Sequence, residues 1–342
     1  MALELEPLLA DLERRGGSDL HLKARTPVYM RVLGELLATE HPVPSPPDLD
    51  RLARQLLDPK QFQRLERERQ SDGVLEPRPD GPRFRVSVCF QRGTISLILR
   101  LVPRAIPSLA SLGVPQEAAA LLEVRRGMLL VTGPSSSGKT TTVAALIEAY
   151  NQNREGHVVT LEDPVEYVLH SKRCLVNQRQ VGLDTESFQA GLRHVLRQDP
   201  DVIFIGELRD LETVTIALAA AETGHLVLST LQTPDAAATI EQVIGMFPAQ
   251  QQGQTRLQVS LALAGVISQQ LLLTRDRKRR VAAFEVMAPT EALRNLVRAN
   301  QTFRVTDAME TTPGCRSMRR SLNELAAQQL VPAEEVQRIL AE

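Results

Sequence analysis

The sequence predicts an α/β protein in which a small α+β domain precedes a larger domain built on a mainly parallel sheet. Three observations carry this. An apolar run, Gly127 to Thr132, leads into Gly133-Pro134-Ser135-Ser136-Ser137-Gly138-Lys139-Thr140, which reads G-x-x-x-x-G-K-[ST], and good helix material follows from Thr141 to Tyr150. From Leu121 onward, apolar strand-like runs alternate with helical segments, the pattern of parallel strands covered by helices. Before that, about a hundred residues mix alternating strands with helices and end at three spaced prolines, Pro103, Pro107 and Pro115. The predicted division is a domain over residues 1–102, a linker over 103–116 and a second domain over 117–342.

In chain order, Leu5, Leu8, Leu9 and Leu12 share one face of a helix that Gly16-Gly17 ends. Ser18 to Leu22 and Val28 to Val32 read as strands, and the proline-rich stretch 41–47 is loop. Residues 49–69 read as one charged helical segment. Arg83 to Phe90 and Thr94 to Val102 form a hairpin turning at Arg92-Gly93. In the second domain the expected strands are Met128–Thr132, His157–Glu162, Val202–Ile205 and His225–Thr230. The expected helices are Thr140–Asn151, Ser187–Gln198 and Asp210–Thr223, with a further apolar helix over Val259–Leu272. The basic run Arg275 to Arg280 reads as a solvated turn, and the tail from Ser321 to Ala341 as two short helices broken at Pro332.

Composition excludes several classes. Lysine plus arginine is 40 and aspartate plus glutamate 41, a net charge of −1, which argues against a nucleic-acid-coating protein. Cys89, Cys174 and Cys315 lie far apart without a C-x-x-C, which excludes a disulfide framework and a zinc module and suits a reducing cytoplasm; all three are expected as buried thiols. No apolar run approaches a membrane span, and the first residues lack the character of a signal peptide.

The chemistry follows from the loop. Its backbone amides, from Gly133 to Thr141, and the first free amides of the next helix point at nucleotide phosphates. Lys139 brings a cation to the β- and γ-phosphates, and the Thr140 hydroxyl is a Mg²⁺ ligand. Ser136 and Ser137 stand where such loops often carry glycine, which limits access to positive φ. Hydrolysis needs acids as well. In Asp199 to Asp210 a buried apolar strand ends at Glu207, a Walker-B-like position for holding Mg²⁺. Thr160-Leu-Glu162-Asp163-Pro164 is a second acidic strand end, where Glu162 is the candidate general base or water-orienting residue. Thr223 to Thr233 resembles a γ-phosphate sensor, with His225 and Gln232; His225 alone reads equally as a hydrogen-bonded core histidine. If ATP sits between subunits, Arg85, Arg100, Arg179, Arg193 and Arg197 are candidates to reach a neighbour's phosphates.

The four stretches Gly133–Thr140, Leu161–Glu166, Asp199–Asp210 and Ala221–Val227, in this order, resemble the boxes of the secretion and type IV pilus ATPases. Arg173, Val176-Asn-Gln-Arg179, Val181-Gly182, Val266-Ile-Ser-Gln269 and Ala292 to Arg298 resemble the retraction branch, the PilT and PilU group. The resemblance covers nearly the whole chain. It implies a PAS-like N-terminal domain joined to a RecA-like ATPase domain. It also implies a cytoplasmic hexameric ring at the inner-membrane base of the pilus machine, docked on a platform protein and working beside a paralogous retraction ATPase. ATP would lie between subunits, with Glu162 and Glu207 in hydrolysis and metal binding, and with Arg85 and Arg100 reaching it from the N-terminal domain. The four-cysteine zinc element of the extension ATPases is absent from the sequence.

Gln232 departs from the family pattern, which has histidine there. Glutamine donates and accepts hydrogen bonds but carries no proton charge. Three readings follow: an active retraction motor, an accessory ATP-binding subunit with weak hydrolysis, and a motor for a related secretion filament. A nucleic-acid motor on the same core is disfavoured by the near-neutral charge.

Overall fold

The structure, a computed structural model, describes residues 3–78, 81–102 and 104–341. The chain divides into two compact units, Met1–Ala105 and Ile106–Glu342. The linker proline Pro103 lies outside the described residues.

The first unit runs α1 (Leu5–Arg14), β1 (Gly17–Lys23), β2 (Tyr29–Val32), β3 (Glu35–Ala38), α2 (Pro46–Leu56), α3 (Pro59–Glu68), β4 (Gln70–Leu75), β5 (Arg83–Gln91) and β6 (Thr94–Val102). Its antiparallel sheet has the order β3-β2-β1-β6-β5-β4. The β5–β6 turn works as expected: Arg92 and Gly93 both take positive φ, 50° and 78°. Alternation puts Leu20, Leu22, Met30, Phe84, Val86, Val88, Leu97 and Leu99 on one buried face against Leu8, Leu12, Leu49, Leu52 and Leu65 of the helices. The segment 49–69 is two helices, not one. Asp58 caps the second through a capping box with Gln61, and Pro59 occupies its first turn, so the break is encoded in D-P-x-Q. Cys89 follows the buried Val88 and therefore takes the opposite face of β5, so it is exposed; only Cys174 and Cys315 are buried.

The second unit continues with α4 (Gln116–Ala120), β7 (Gly127–Thr132), α5 (Lys139–Asn153), β8 (Gly156–Glu162), β9 (Cys174–Gln180), α6 (Phe188–Val195), β10 (Val202–Ile205), α7 (Leu211–Glu222) and β11 (Leu226–Leu231). It ends with α8 (Ala236–Gly245), α9 (Gln252–Ala262), β12 (Leu263–Leu273), β13 (Arg280–Met287), α10 (Glu291–Arg298), α11 (Val305–Met309), α12 (Met318–Ala327) and α13 (Ala333–Ala341). The sheet order is β13-β12-β7-β11-β10-β8-β9, and every neighbouring pair is parallel except β12–β13. The central strands β7, β10 and β11 are buried on both sides. Met128 and Leu130 belong to one core with Val214, Leu218, Ile240 and Val259, whereas Leu129 and Val131 pack with Val143, Leu146 and Ile147 of α5.

The helix expected over Val259–Leu272 is mostly strand. α9 stops at Ala262 and β12 runs from Leu263 between β7 and β13. A run apolar on both faces lacks the period that separates strand from helix, and the pairing partners decide. The basic run 275–280 turns between β12 and β13 with all six residues exposed, as its charge density predicts.

Glu285 on β13 is the unexpected buried acid, at 2% exposure. It accepts from the Ala236 amide at 2.8 Å, the first residue of α8, and also from the Met318 backbone at the start of α12. Burial outweighs these bonds and raises its pKa from 4.5 to about 7. The folded state therefore holds this proton more tightly than the unfolded chain. Its contribution to stability is full below pH 4.5 and is lost as the pH rises to about 7, on the order of 3 kcal/mol. Glu285→Gln, which keeps an acceptor for Ala236, is expected to flatten this component. Melting curves between pH 4.5 and 7.5 measure it, and the variant should gain several degrees on the wild type at the upper end.

Candidate functional site

Parallel register gathers the site. Ile205 of β10 pairs with Leu161 of β8 and with Ser229 of β11, and Leu231 pairs with Thr132 of β7. The residues just beyond these positions, Gly133, Glu162, Glu207 and Gln232, therefore line one edge of the sheet, at the strands' carboxyl ends.

The phosphate loop is shaped by three positive φ values: Gly133 at 139°, Ser136 at 63° and Gly138 at 89°. Ser136 thus holds a left-handed conformation where glycine is at home, at a cost of about 1–2 kcal/mol. Gly133 has no alternative, because a Cβ there would press into the Gln269 carbonyl oxygen, well inside van der Waals contact. Gln269 of β12 braces the loop from beneath, donating through Nε2 to the Ser137 carbonyl, and next to it Thr132 Oγ1 donates to Ser268 Oγ at 2.8 Å. Lys139 opens α5 and curls back, so that Nζ donates to the Gly133 and Pro134 carbonyls at 2.8 and 2.9 Å. Burial lowers its pKa, and the nearby Glu207 opposes that shift.

The loop fits an anion. Ser137 Oγ is a buried hydroxyl donor without a hydrogen-bond partner among the described residues. The N-cap of α5, Gly138, offers no side-chain cap to the first amides. Ser135 and Ser136 are exposed, whereas Thr140 and Thr141 begin the helix half-buried. Phosphate oxygens would satisfy these donors and give Lys139 an anionic partner in place of two carbonyls. For a cation the donor set is sparse: no group of three or more His, Cys, Asp or Glu is placed to hold a metal among the described residues. One hydroxyl, from Thr140, one carboxylate, from Glu207, and phosphate oxygens make the set that suits Mg²⁺.

Glu162 is 6% exposed. Its Oε1 accepts from Thr160 Oγ1 at 2.6 Å and from Gln178 Nε2 at 2.9 Å. Burial drives its pKa up, and those two donors hold it down. It shares a small internal cavity with Thr140, Tyr167 and Gln178. Tyr167 ties this acid turn to the helix, its hydroxyl 3.0 Å from Thr141 Oγ1. Gln178 also donates to the Tyr167 carbonyl and accepts from the Leu169 amide, so its amide serves the site through both ends. Asp163, the next acid, is exposed and precedes a cis proline, Pro164. Glu207 sits at the mouth, bonded through Oε2 to Arg209 Nε at 2.7 Å and through Oε1 to Gln232 Nε2 at 2.9 Å.

Two sets of candidates have local partners. His225 precedes β11 and so lies at the opposite edge of the sheet from the loop, about 20 Å away along a six-residue strand. Its Nδ1 bonds to the Ala220 carbonyl at 2.9 Å, closing α7. Within this chain its ring closes α7, and Gln232 is the member of that pair at the phosphate edge. Most of the candidate arginines, in turn, have local partners. Arg100 pairs with Asp19 at 2.7 Å and faces Arg85 across β5–β6. Arg193 pairs with Glu212, and Arg197 is exposed. Arg179 donates through Nη2 to the Asp184 carbonyl at 2.7 Å, and its buried Nη1 has no partner among the described residues. The residues to which the sequence alone gives no role are Thr160, Tyr167, Gln178, Arg209, Ser268 and Gln269. Their location inside or beside the motifs is the one signal that marks them.

Comparison with known proteins agrees with this geometry. The model of the type II/IV secretion system protein family matches residues 79–275. The type IV pilus retraction ATPase PilT of Pseudomonas aeruginosa is 39% identical over 334 residues, which cover 97% of this chain and 96% of that protein. The type IV pilus ATPase PilU of the same organism is 36% identical over 328 residues, 95% of this chain and 86% of that one. A crystal structure of the pilus retraction motor PilT with bound ADP matches with a TM-score of 0.87 at 40% identity, covering 98% of this chain and 97% of the other.

Gly133→Ala tests the cradle directly. The added methyl meets a backbone oxygen and a φ hostile to alanine, a strain of order 1–3 kcal/mol placed where phosphate binds. Nucleotide affinity measured by fluorescence titration should fall about ten-fold or more, while circular dichroism shows the fold retained.

Proposed function

The chain belongs to the type II/IV secretion system protein family, and we propose that it is a ring-forming ATPase whose hydrolysis of ATP powers retraction of a type IV pilus. The observation that carries this reading is the single sheet edge holding the phosphate loop, Glu162, Glu207 and Gln232, in a chain alike over nearly its whole length to retraction ATPases. ATP would lie with its phosphates on the loop amides and Lys139. A magnesium ion held by Thr140, Glu207 and the phosphates would neutralise the charge that develops there. Glu162, already fixed by Thr160 and Gln178, would orient the attacking water and take its proton as a carboxylate, the form that cations beside it favour.

The site is open on the side of the half-buried Glu207 and the exposed Ser135 and Ser136, which suits completion by a neighbouring subunit. We assign that role to arginines of a second copy, with Arg85 and Arg100 first, in a homo-oligomeric ring with six members. Residues 1–102 form the PAS-like domain and residues 117–342 the RecA-like ATPase domain, joined by the linker 103–116. No described helix is long and apolar enough to cross a membrane. The chain would work in the cytoplasm, docked on an inner-membrane platform protein at the pilus base, beside a paralogous retraction ATPase.

A second reading has specific support. Ser136 in a left-handed conformation and Gln232 at the family's histidine position both depart from an optimised site. They favour an accessory subunit that binds ATP tightly and turns it over slowly.

Purified protein should hydrolyse ATP with Mg²⁺, and Lys139→Ala or Glu207→Ala should lower turnover at least a hundred-fold. Robust turnover in either variant overturns the site assignment, and tight binding with negligible wild-type turnover establishes the accessory role. Deletion of the gene should leave cells with excess pili that do not retract, scored by microscopy; bald cells would point to extension instead.

A further inference from the structure

β11 lies between β7 and β10, so the residue just beyond its end stands between the phosphate loop and the Walker-B-like acid. That residue is Gln232, and it touches both. Ser135 Oγ donates to Gln232 Oε1 at 3.1 Å, and Gln232 Nε2 donates to Glu207 Oε1 at 2.9 Å. Arg209 Nε occupies the other carboxylate oxygen at 2.7 Å. The amide orientation is fixed by its partners, since a carboxylate can accept only the NH₂ end, which leaves the oxygen for the serine hydroxyl. An ionised aspartate or glutamate could not replace it, because a second carboxylate offers Glu207 only acceptors.

We propose that Gln232 is a positioning residue that latches Glu207 while the loop is empty and lets it go when phosphate fills the loop. Glu207 Oε2 is bonded to Arg209 and Oε1 to Gln232, so the carboxylate's orientation is set by those two donors, and it must turn from Gln232 to present Oε1 squarely to a divalent cation. Ser135 lies in the segment of the loop that would face an incoming phosphate, and it is exposed. Once its hydroxyl bonds a phosphate oxygen, the amide loses one anchor and Glu207 becomes available to the cation. Arrival of phosphate at one strand end is thereby read at another, through a neutral side chain on the strand between them. The inference rests on the nucleotide-binding role proposed above and adds the order in which its parts engage.

The latch sets the metal dependence of nucleotide binding. A fluorescent ADP analogue is titrated into the full-length protein with Mg²⁺ and with EDTA, and the ratio of the two dissociation constants is the gain due to the metal. Gln232→Met keeps the length of the side chain at an exposed position and removes both hydrogen bonds. Its metal gain should rise about three- to ten-fold over wild type, the value of one modest hydrogen bond, while the EDTA constant stays within about two-fold. Ser135→Ala should raise the gain in the same direction by a smaller factor, and Gln232→His, which restores a donor to Glu207, should return it toward wild type. An unchanged or reduced gain in Gln232→Met overturns the latch. So does an equal loss of affinity with and without metal, which would make Gln232 a plain phosphate contact. Failure of the wild type to bind the analogue at all would overturn the ATPase reading first.

Discussion

A loop that must wrap an anion cannot satisfy its own polar groups, and this conflict organises the ATPase unit. The first amides of α5 have no side-chain cap, Ser137 Oγ is buried without a partner among the described residues, and Ser136 carries left-handed strain. Such a loop keeps its shape only if something else over-determines it. The brace is β12. Its Gln269 closes onto the loop from below, and its carbonyl comes so near Gly133 that no side chain fits between them. β12 in turn is pinned between β7 and β13, and Arg294 of α10 bonds the carbonyls of Leu261 and Leu263 where α9 becomes β12. The rigidity of the cradle is therefore supplied by a strand far away in sequence.

The electrostatics of the edge follow from the same need. Lys139 donates to two carbonyls, a poor substitute for anionic oxygens, and its burial depresses its pKa. Glu162 is buried with a raised pKa, although Thr160 and Gln178 both donate to it. A cation disfavoured on one strand end and a carboxylate disfavoured on another both gain when a phosphate and its metal arrive, because each then meets opposite charge in a low-dielectric setting. A bound phosphate and its metal would therefore favour the charged forms of both groups.

Much of this is legible in the sequence because it is local. The phosphate loop, the four parallel strands ending near it, the Arg92-Gly93 hairpin turn and the helices of the tail all leave signatures within short windows of sequence. What stays hidden depends on partners. β12 reads as a helix because a strand buried on both faces has no period. Gln178 and Gln269 are ordinary polar residues until pairing sets one under Glu162 and the other under Gly133. His225 and Gln232 read as one polar cluster because a single short strand, Leu226–Leu231, separates them. An extended chain turns that small separation into the full depth of the sheet, and the two residues end on opposite edges.

Gln232 is where the chain leaves its family's pattern, and its contacts explain what the exchange does. A histidine there could bind Glu207 as a charged pair and change its hold with protonation. Glutamine offers a donor and an acceptor, both neutral, so the link from Ser135 to Glu207 depends on position alone. A neutral link is weaker than a charged pair in a partly exposed site, and weakness suits a contact that must break on every turnover. The charged partner of Glu207 is then Arg209, two residues along the same chain segment, and that pairing does not depend on the loop. The departure is therefore compatible with a working motor. What it removes is the means of tuning the contact by protonation, and what remains is geometry: the reach of one amide between the loop on one side of β11 and the acid on the other.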